Sequence, residues 1–342
     1  MGLLMLACAV EAVVPEPASG LVQGLQIVGV GRVDLRIEQG QIVEVGPALE
    51  GDGEDLGGAW VVPGWIDSHV HLAYLDAAPE LAEAGVVAAV DLAAPVDVFE
   101  VEGWPLEVLW AGPMITAPGG YPTQGWGSNG YGWQVSGVDE ARAAVRALHE
   151  AGASLIKVPL TGSDELSDEE LSAIAEEAHA LGLRVAVHAL SEEAAARGAR
   201  AGFDVLAHTP TESLSEHTVQ AWSDKAVVTT LGAFGGAAST VDNLRRLRAA
   251  GTTVLYGTDL GNTRTPAIDP REVELLLLAG LSVEDLLVAG TSAPASYWGL
   301  DRYGDLSVGK EASFLVLSGD PRQDSAALSA PSAVYRGGAR WP

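Results

Sequence analysis

Between Trp60 and Gly261, short apolar β-rich runs alternate with stretches of helical spacing. The runs are WVVPGWIDSHVHL, VVAAVDLA, LEVLWAGP, SLIKVPL, LRVAVHAL, DVLAHTP, AVVTTLG and TTVLYGTDLG. Runs of this kind fit parallel strands buried on both faces by crossover helices. Eight is the number that closes a (β/α)8 barrel. The intervening helices have defined ends: Ser167 with Glu170 makes a capping box ahead of LSAIAEEAHALG, which Gly182 stops. Ser282 with Asp285 starts EDLLVAG in the same way.

The two ends of the chain differ from its middle. Residues 25–47 carry β-rich runs broken at Gln39-Gly40, the signature of a hairpin, and a similar texture returns in ASFLVLSG and SAVYRGG. The expected architecture is therefore α/β: a (β/α)8 TIM-like barrel over residues 63–300, with a small β-sandwich built from both termini, 23–62 and 301–342. Residues 1–22 form an N-terminal extension. Its opening MGLLMLACAV ends in Leu-Ala-Cys, as a bacterial lipoprotein leader does, which would make Cys8 a lipid anchor with VVPEPASG as a tether. The run is short and no Lys or Arg precedes it, so it reads equally as an apolar strand. The expected location is the cytoplasm, or the cell envelope if Met1–Ala7 is a truncated leader.

Composition narrows the partners. With 342 residues, 48% hydrophobic and 19% charged, the chain suits one large domain with additions rather than a disordered segment. The balance of 46 acidic against 19 basic side chains gives −27, which repels phosphate backbones and excludes nucleic acid as a natural partner. A small-molecule substrate remains, and a homo-oligomer is compatible. With a single cysteine, an intrachain disulfide and a cysteine-based zinc site are both excluded.

The histidines are segregated. Of seven, His69, His71, His188 and His208 fall at strand ends, while His149, His179 and His217 sit in helical patterns. His69 and His71 are two apart, so in a strand they leave on one face and can converge on one ion. His188 and His208 close successive apolar runs at the end where a barrel builds its active site; singly, each would read as a satisfied core histidine. Asp259, after VLYGT, is costly to bury unless it is paired or holds a metal. Lys157, inside SLIKVPL, must lose its charge or find a partner such as Asp259. A neutral amine there can add carbon dioxide to become a carbamate, whose two oxygens can bridge two cations.

PGWIDSHVHL on the first strand, IKV on the fourth, AVHA on the fifth, LAH on the sixth and GTD on the eighth appear in the order found in one enzyme family. With the exit segment TSAPASYWGLDRYGDLSVGKEASFLVLSGDP, they give a chain that from about residue 25 onward resembles the amidohydrolase superfamily, in its imidazolonepropionase-like and prolidase-like branch. The resemblance implies two divalent ions, zinc by default, although manganese, iron or cobalt suits the same donors. It implies that His69, His71 and Asp259 hold the first ion, that His188 and His208 hold the second, and that Lys157, carboxylated, bridges them. Ser313 departs from the family's usual Asp, and Tyr256, close before Asp259, has no assignable role.

The implied activity is hydrolysis of a C–N amide bond in a cyclic amide, dipeptide-like or N-acyl substrate by a metal-bridged hydroxide, with Asp259 as proton shuttle. The same machinery could act on an ester, lactone or organophosphate, or the barrel could serve as a non-catalytic binding lipoprotein. A deaminase fits less well, because Lys157 is present. The long connection MITAPGGYPTQGWGSNGYGWQVS offers Tyr121, Trp126, Tyr131 and Trp133 either as pocket residues or as a loop packed on itself. Asn262 and Arg264, just beyond Asp259, could pair with a substrate carboxylate, or Arg264 could be a surface arginine.

Overall fold

A computed structural model describes residues 14–341. The expected leader and Cys8 lie outside the described residues. Among the described residues, no helix is long and apolar enough to cross a membrane. Eight strands make the barrel: β1 (Trp65–Val70), β2 (Val86–Asp91), β3 (Glu107–Trp110), β4 (Leu155–Pro159), β5 (Arg184–His188), β6 (Val205–Leu206), β7 (Ala226–Val228) and β8 (Thr253–Leu255). The first three form one parallel sheet and the last five another. The sheets are joined at both edges. Ser154 N donates to Trp110 O at 2.8 Å on one side; Ser68 N donates to Tyr256 O at 2.8 Å and Asp259 N to His69 O at 2.8 Å on the other.

The barrel interior is a packed apolar layer. Leu155, Ala186, Val205, Ala226, Val228 and Leu255 are fully buried against one another. Since side chains alternate along a strand, the residue two positions after Leu155 is Lys157, and two after Ala186 is His188. The apolar layer thus becomes the floor of a polar one. The outer ring is capped as its sequence predicts: helix Asp168–Ala180 has the Ser167/Glu170 box and helix Val283–Gly290 the Ser282/Asp285 box. Each cap stabilises its helix by about 1 kcal/mol.

Both termini build one eight-stranded sheet, in which Gly20–Ile27, Gly31–Glu38, Gln41–Gly46 and Trp60–Pro63 join Phe314–Val316 and Ala333–Arg336. The sheet wraps its own core, which includes Leu25, Leu35, Ile42 and Phe314. Its two ends meet where Ile42 N donates to Lys310 O at 2.9 Å and Gly309 N to Ile42 O at 2.8 Å. The hairpin turns at Gln39 and Gly40, whose φ values of +48° and +82° are the left-handed pair that a two-residue turn requires.

Three details differ from the sequence reading. The first strand starts at Gly20, inside the span assigned to the extension, and Ala18 is already bonded to Gly40 and Gly337. WVVPGWIDSHVHL is two strands, not one. Gly64 hands the chain from sandwich to barrel, donating to Ser313 O, and a Cβ there would lie 2.2 Å from Val87 Cγ1. Inside the long connection, Met114–Thr116 and Gly132–Gln134 pair as a short parallel ribbon.

Helix Val283–Gly290 approaches the barrel at its last residue, where a Cβ on Gly290 would meet the fully buried Trp65 ring at 2.1 Å. Neither partner has room to move in a close-packed interior. Gly290→Ala is therefore expected to cost about 1–3 kcal/mol, read as a lower denaturant midpoint at constant slope. An unshifted midpoint would mean that Trp65 does not fix this contact.

Candidate metal centre

The six residues expected to hold metal lie in one cavity of about 310 Å³, together with Tyr121, Trp126, Asn262 and Arg264. β1 carries His69 and, one residue past its end, the chain places His71 beside it. Their Nε2 atoms are 3.2 Å apart. Asp259 Oδ1 lies 3.4 Å from His69 Nε2 and 3.2 Å from His71 Nε2. The His208 ring is 4.5 Å from that of His69, and the His188 ring is 4.7 Å from that of His208. One ligand atom from each of His69, His208 and Asp259 falls within a single 4.8 Å set.

The donor chemistry suits a cation. His69 Nδ1 sits 2.8 Å from Ala207 O. A carbonyl only accepts, so Nδ1 carries the proton and Nε2 presents a lone pair to the cavity. That lone pair converges with a carboxylate oxygen and a second imidazole nitrogen, an arrangement of electron-rich atoms that a metal ion satisfies. His208 Nδ1 pairs with Thr230 Oγ1 at 3.1 Å. Burial holds His69 and His208 well below the usual imidazole range and pushes His188 down to about 3, so these rings are in the neutral form that ligates metal. Burial would raise Asp259, but the imidazoles of His69 and His71 and the hydrogen bonds of His71 and Asn262 outweigh it and hold the carboxyl below its usual range.

Lys157 is fully buried, and its Nζ has no hydrogen-bond partner; His71 Nδ1 is likewise unpartnered. The internal ion pair with Asp259, one reading of the sequence, does not form. Desolvation lowers the amine to about 7 against the opposing pull of Asp259 and Asp91. Buried polar atoms are almost always bonded, so an orphaned amine among metal-type donors fits a site completed by groups beyond the chain.

The site is held by residues the sequence reading passed over. Asp67, fully buried, accepts from His69 N at 3.0 Å, Thr258 N at 3.1 Å and Thr258 Oγ1 at 2.5 Å, tying β1 to the segment after β8. Asp91, at the end of β2, accepts from Leu72 N at 2.6 Å and Ala93 N at 3.0 Å and fixes the chain that leaves His71. Burial raises Asp67 to about 7 and Asp91 to about 6. The rule that singled out Asp259, a carboxylate ending an apolar run, also applies to both. Thr230 and Asp259 have φ values of +44° and +55°, unfavourable for residues with a Cβ, and both face the metal-type donors.

The aromatic connection contributes unevenly. Tyr121 stacks on His188 at 5.4 Å and accepts from Trp126 Nε1 at 2.7 Å. Trp126 packs on His71 at 5.5 Å. Tyr131 is not a pocket residue: it lies behind Trp126, with its hydroxyl spent on Ala73 O at 2.9 Å. Trp133 packs on the outer core instead. Met114, Phe234 and Tyr74 line the cavity without having been foreseen. Tyr256 proves structural, edge-on to Trp65 at 5.4 Å with its hydroxyl accepting from Asp269 N.

Known proteins share this arrangement of chain. A Mycobacterium tuberculosis protein of uncharacterized activity is 26% identical over 322 residues, which span 81% of this chain and 84% of that protein. A Bifidobacterium longum structure, described provisionally as a prolidase, superposes with a TM-score of 0.79 at 26% identity, covering 95% of each chain. The structure of a Xaa-Pro dipeptidase with methionine bound in its active site has a TM-score of 0.81 at 20% identity, covering 95% of this chain and 100% of that one. The sequence profile of the Amidohydrolase family matches residues 60–339, most of the length, and the chain belongs to that family of hydrolases.

Proposed function

We propose that this amidohydrolase cleaves a C–N amide bond with two divalent ions, zinc by default, held by His69, His71, His188, His208 and Asp259 and bridged by a carboxylated Lys157. The observation that carries the reading is Lys157, a buried, unpartnered amine lining the same cavity as four imidazoles and a carboxylate. Its neutral form can take up carbon dioxide: the nitrogen lone pair forms the N–C bond, a proton leaves the nitrogen, and a carbamate anion remains. The neutral imidazoles then face a charge that offsets the ions. The names of the provisional prolidase and the Xaa-Pro dipeptidase, both C–N bond hydrolases, support the bond class.

Divalent ions held by these residues would supply Lewis acidity toward a carbonyl and would lower the pKa of water. The chain's own residues do the rest. Asp259, ionised and fixed in a left-handed turn, can accept a proton from water at Oδ1 or Oδ2 and return it to the leaving nitrogen. Asn262 Nδ2 bonds Asp259 Oδ2 at 3.1 Å, which orients the carboxylate. Tyr121, Trp126 and Phe234 wall the cavity and exclude bulk water from the bond being cut.

Metal content by plasma mass spectrometry is expected to be about two ions per chain in protein purified without chelator. Lys157→Ala should hold fewer, and an unchanged content would remove the bridging role. Asp259→Asn should retain the fold and most of the metal while kcat falls about 10²- to 10⁴-fold on an amide that the parent cleaves. Near-normal turnover in that variant would mean that the proton moves by another route. A parallel panel of esters, lactones and phosphotriesters decides whether the amide is the preferred bond.

A further inference from the structure

We infer that the preferred substrate is an N-acylated amino acid, whose α-carboxylate is held by Arg264 and whose neutral acyl group lies on the aromatic wall. The inference rests on the amide-bond reading above and sets which side of the amide faces which wall.

Arg264 lines the same cavity as the metal-type donors, at its mouth, with its guanidinium carbon 5.8 Å above the Tyr74 ring. Among the described residues, no carboxylate lies within ion-pair distance of it. By contrast Arg142, Arg197, Arg246 and Arg302 each have one. In a chain with 46 acidic residues against 19 basic ones, a guanidinium without an acid beside it in the site leaves its bidentate donor face for a ligand.

Its position is tied to that of Asp259. Asn262 N and Thr263 N both donate to Asp259 O, at 3.0 and 2.9 Å, and Gly261 N donates to Thr263 O at 2.9 Å. A Cβ on Gly261 would meet His71 Cβ at 2.7 Å, so the turn is pressed against the site. One tight loop therefore carries both the group that would protonate the leaving nitrogen and the cation that would hold the carboxylate two bonds from that nitrogen. The leaving amino acid faces this loop, and the acyl group faces Met114, Tyr121, Trp126 and Phe234.

Selectivity against a free amine follows from the same lining. Among the described lining residues the single carboxylate is Asp259, already engaged with His69, His71 and Asn262. A dipeptide would bring its ammonium to a wall that offers aromatic faces but no carboxylate, a weaker partner than an ion pair for a desolvated charge.

The test uses metal-loaded enzyme and matched sets: N-acetyl and N-benzoyl amino acids, their C-terminal carboxamides, and dipeptides with a free N-terminus. Wild type should favour carboxylates over carboxamides by about 10- to 100-fold in kcat/KM, mostly through KM, and N-acyl compounds over dipeptides by about tenfold or more. In Arg264→Gln the carboxylate-to-carboxamide ratio should fall toward one. A ratio that survives in Arg264→Gln, or dipeptides cleaved as well as N-acyl amino acids, overturns the inference. If no amide in the panel is cleaved, the amide-bond reading fails instead. Calorimetric binding of the N-benzoyl amino acids and their carboxamides then decides the role of Arg264: carboxylate-dependent binding lost in Arg264→Gln keeps it, and equal binding removes it.

Discussion

Asp67 ties the barrel together at the point where the site is built. Its buried carboxylate takes the backbone of His69 on one oxygen and Thr258 on both, so the first strand and the turn leading to Asp259 share one acceptor. Desolvating a carboxyl is costly, and three donors repay that cost only while the two strands stay in register. The metal-type donors depend on that register. His69, His71 and Asp259 meet within 3.4 Å because Asp67, the Asp259 N to His69 O bond and the Leu260–Val70 bridge fix one chain end against the other.

Above the apolar floor, the same economy recurs around the cavity. Asp91 holds the segment after His71, Ala207 O fixes the His69 ring, and Thr230 fixes His208. Among the described residues eight buried side-chain polar atoms have no hydrogen-bond partner, and two of them, the Lys157 amine and His71 Nδ1, belong to residues that line this cavity. An amine left unbonded in a cavity lined by four imidazoles and a carboxylate has a site shaped for chemistry added to it. Backbone strain at Asp259 and Thr230 is confined to this end of the barrel, where the surrounding bonds over-determine the conformation.

Much of this was legible beforehand because it is local. Capping boxes, the Gln39-Gly40 turn and apolar strand runs act over a few residues, so the elements they specify stand in the structure. The residue pair His69 and His71 shares a face by the two-residue strand period alone. Tyr131 was misplaced for the opposite reason. An aromatic loop can pack on itself or face a ligand, and only the neighbours, Ala73 and Trp126, decide which. Asp67 and Asp91 were passed over although each follows the pattern that picked out Asp259, since a hub differs from a ligand only in what lies opposite it.

The sequence by itself determined the fold class, the β-rich character of both ends, and the identity of the polar residues at the strand ends, because each is written in burial pattern and short-range turn chemistry. Tertiary structure decided where those side chains point. Along β6, Val205 and Ala207 face the barrel interior, so strict alternation would send His208 outward with Leu206. The chain bends at Ala207 and His208 instead, and His208 enters the cavity beside His69. Asp259 enters through a left-handed turn that residues with a Cβ seldom adopt. Both departures put strand-end backbone into conformations that only contacts with distant strands can hold, and a linear sequence does not carry those contacts.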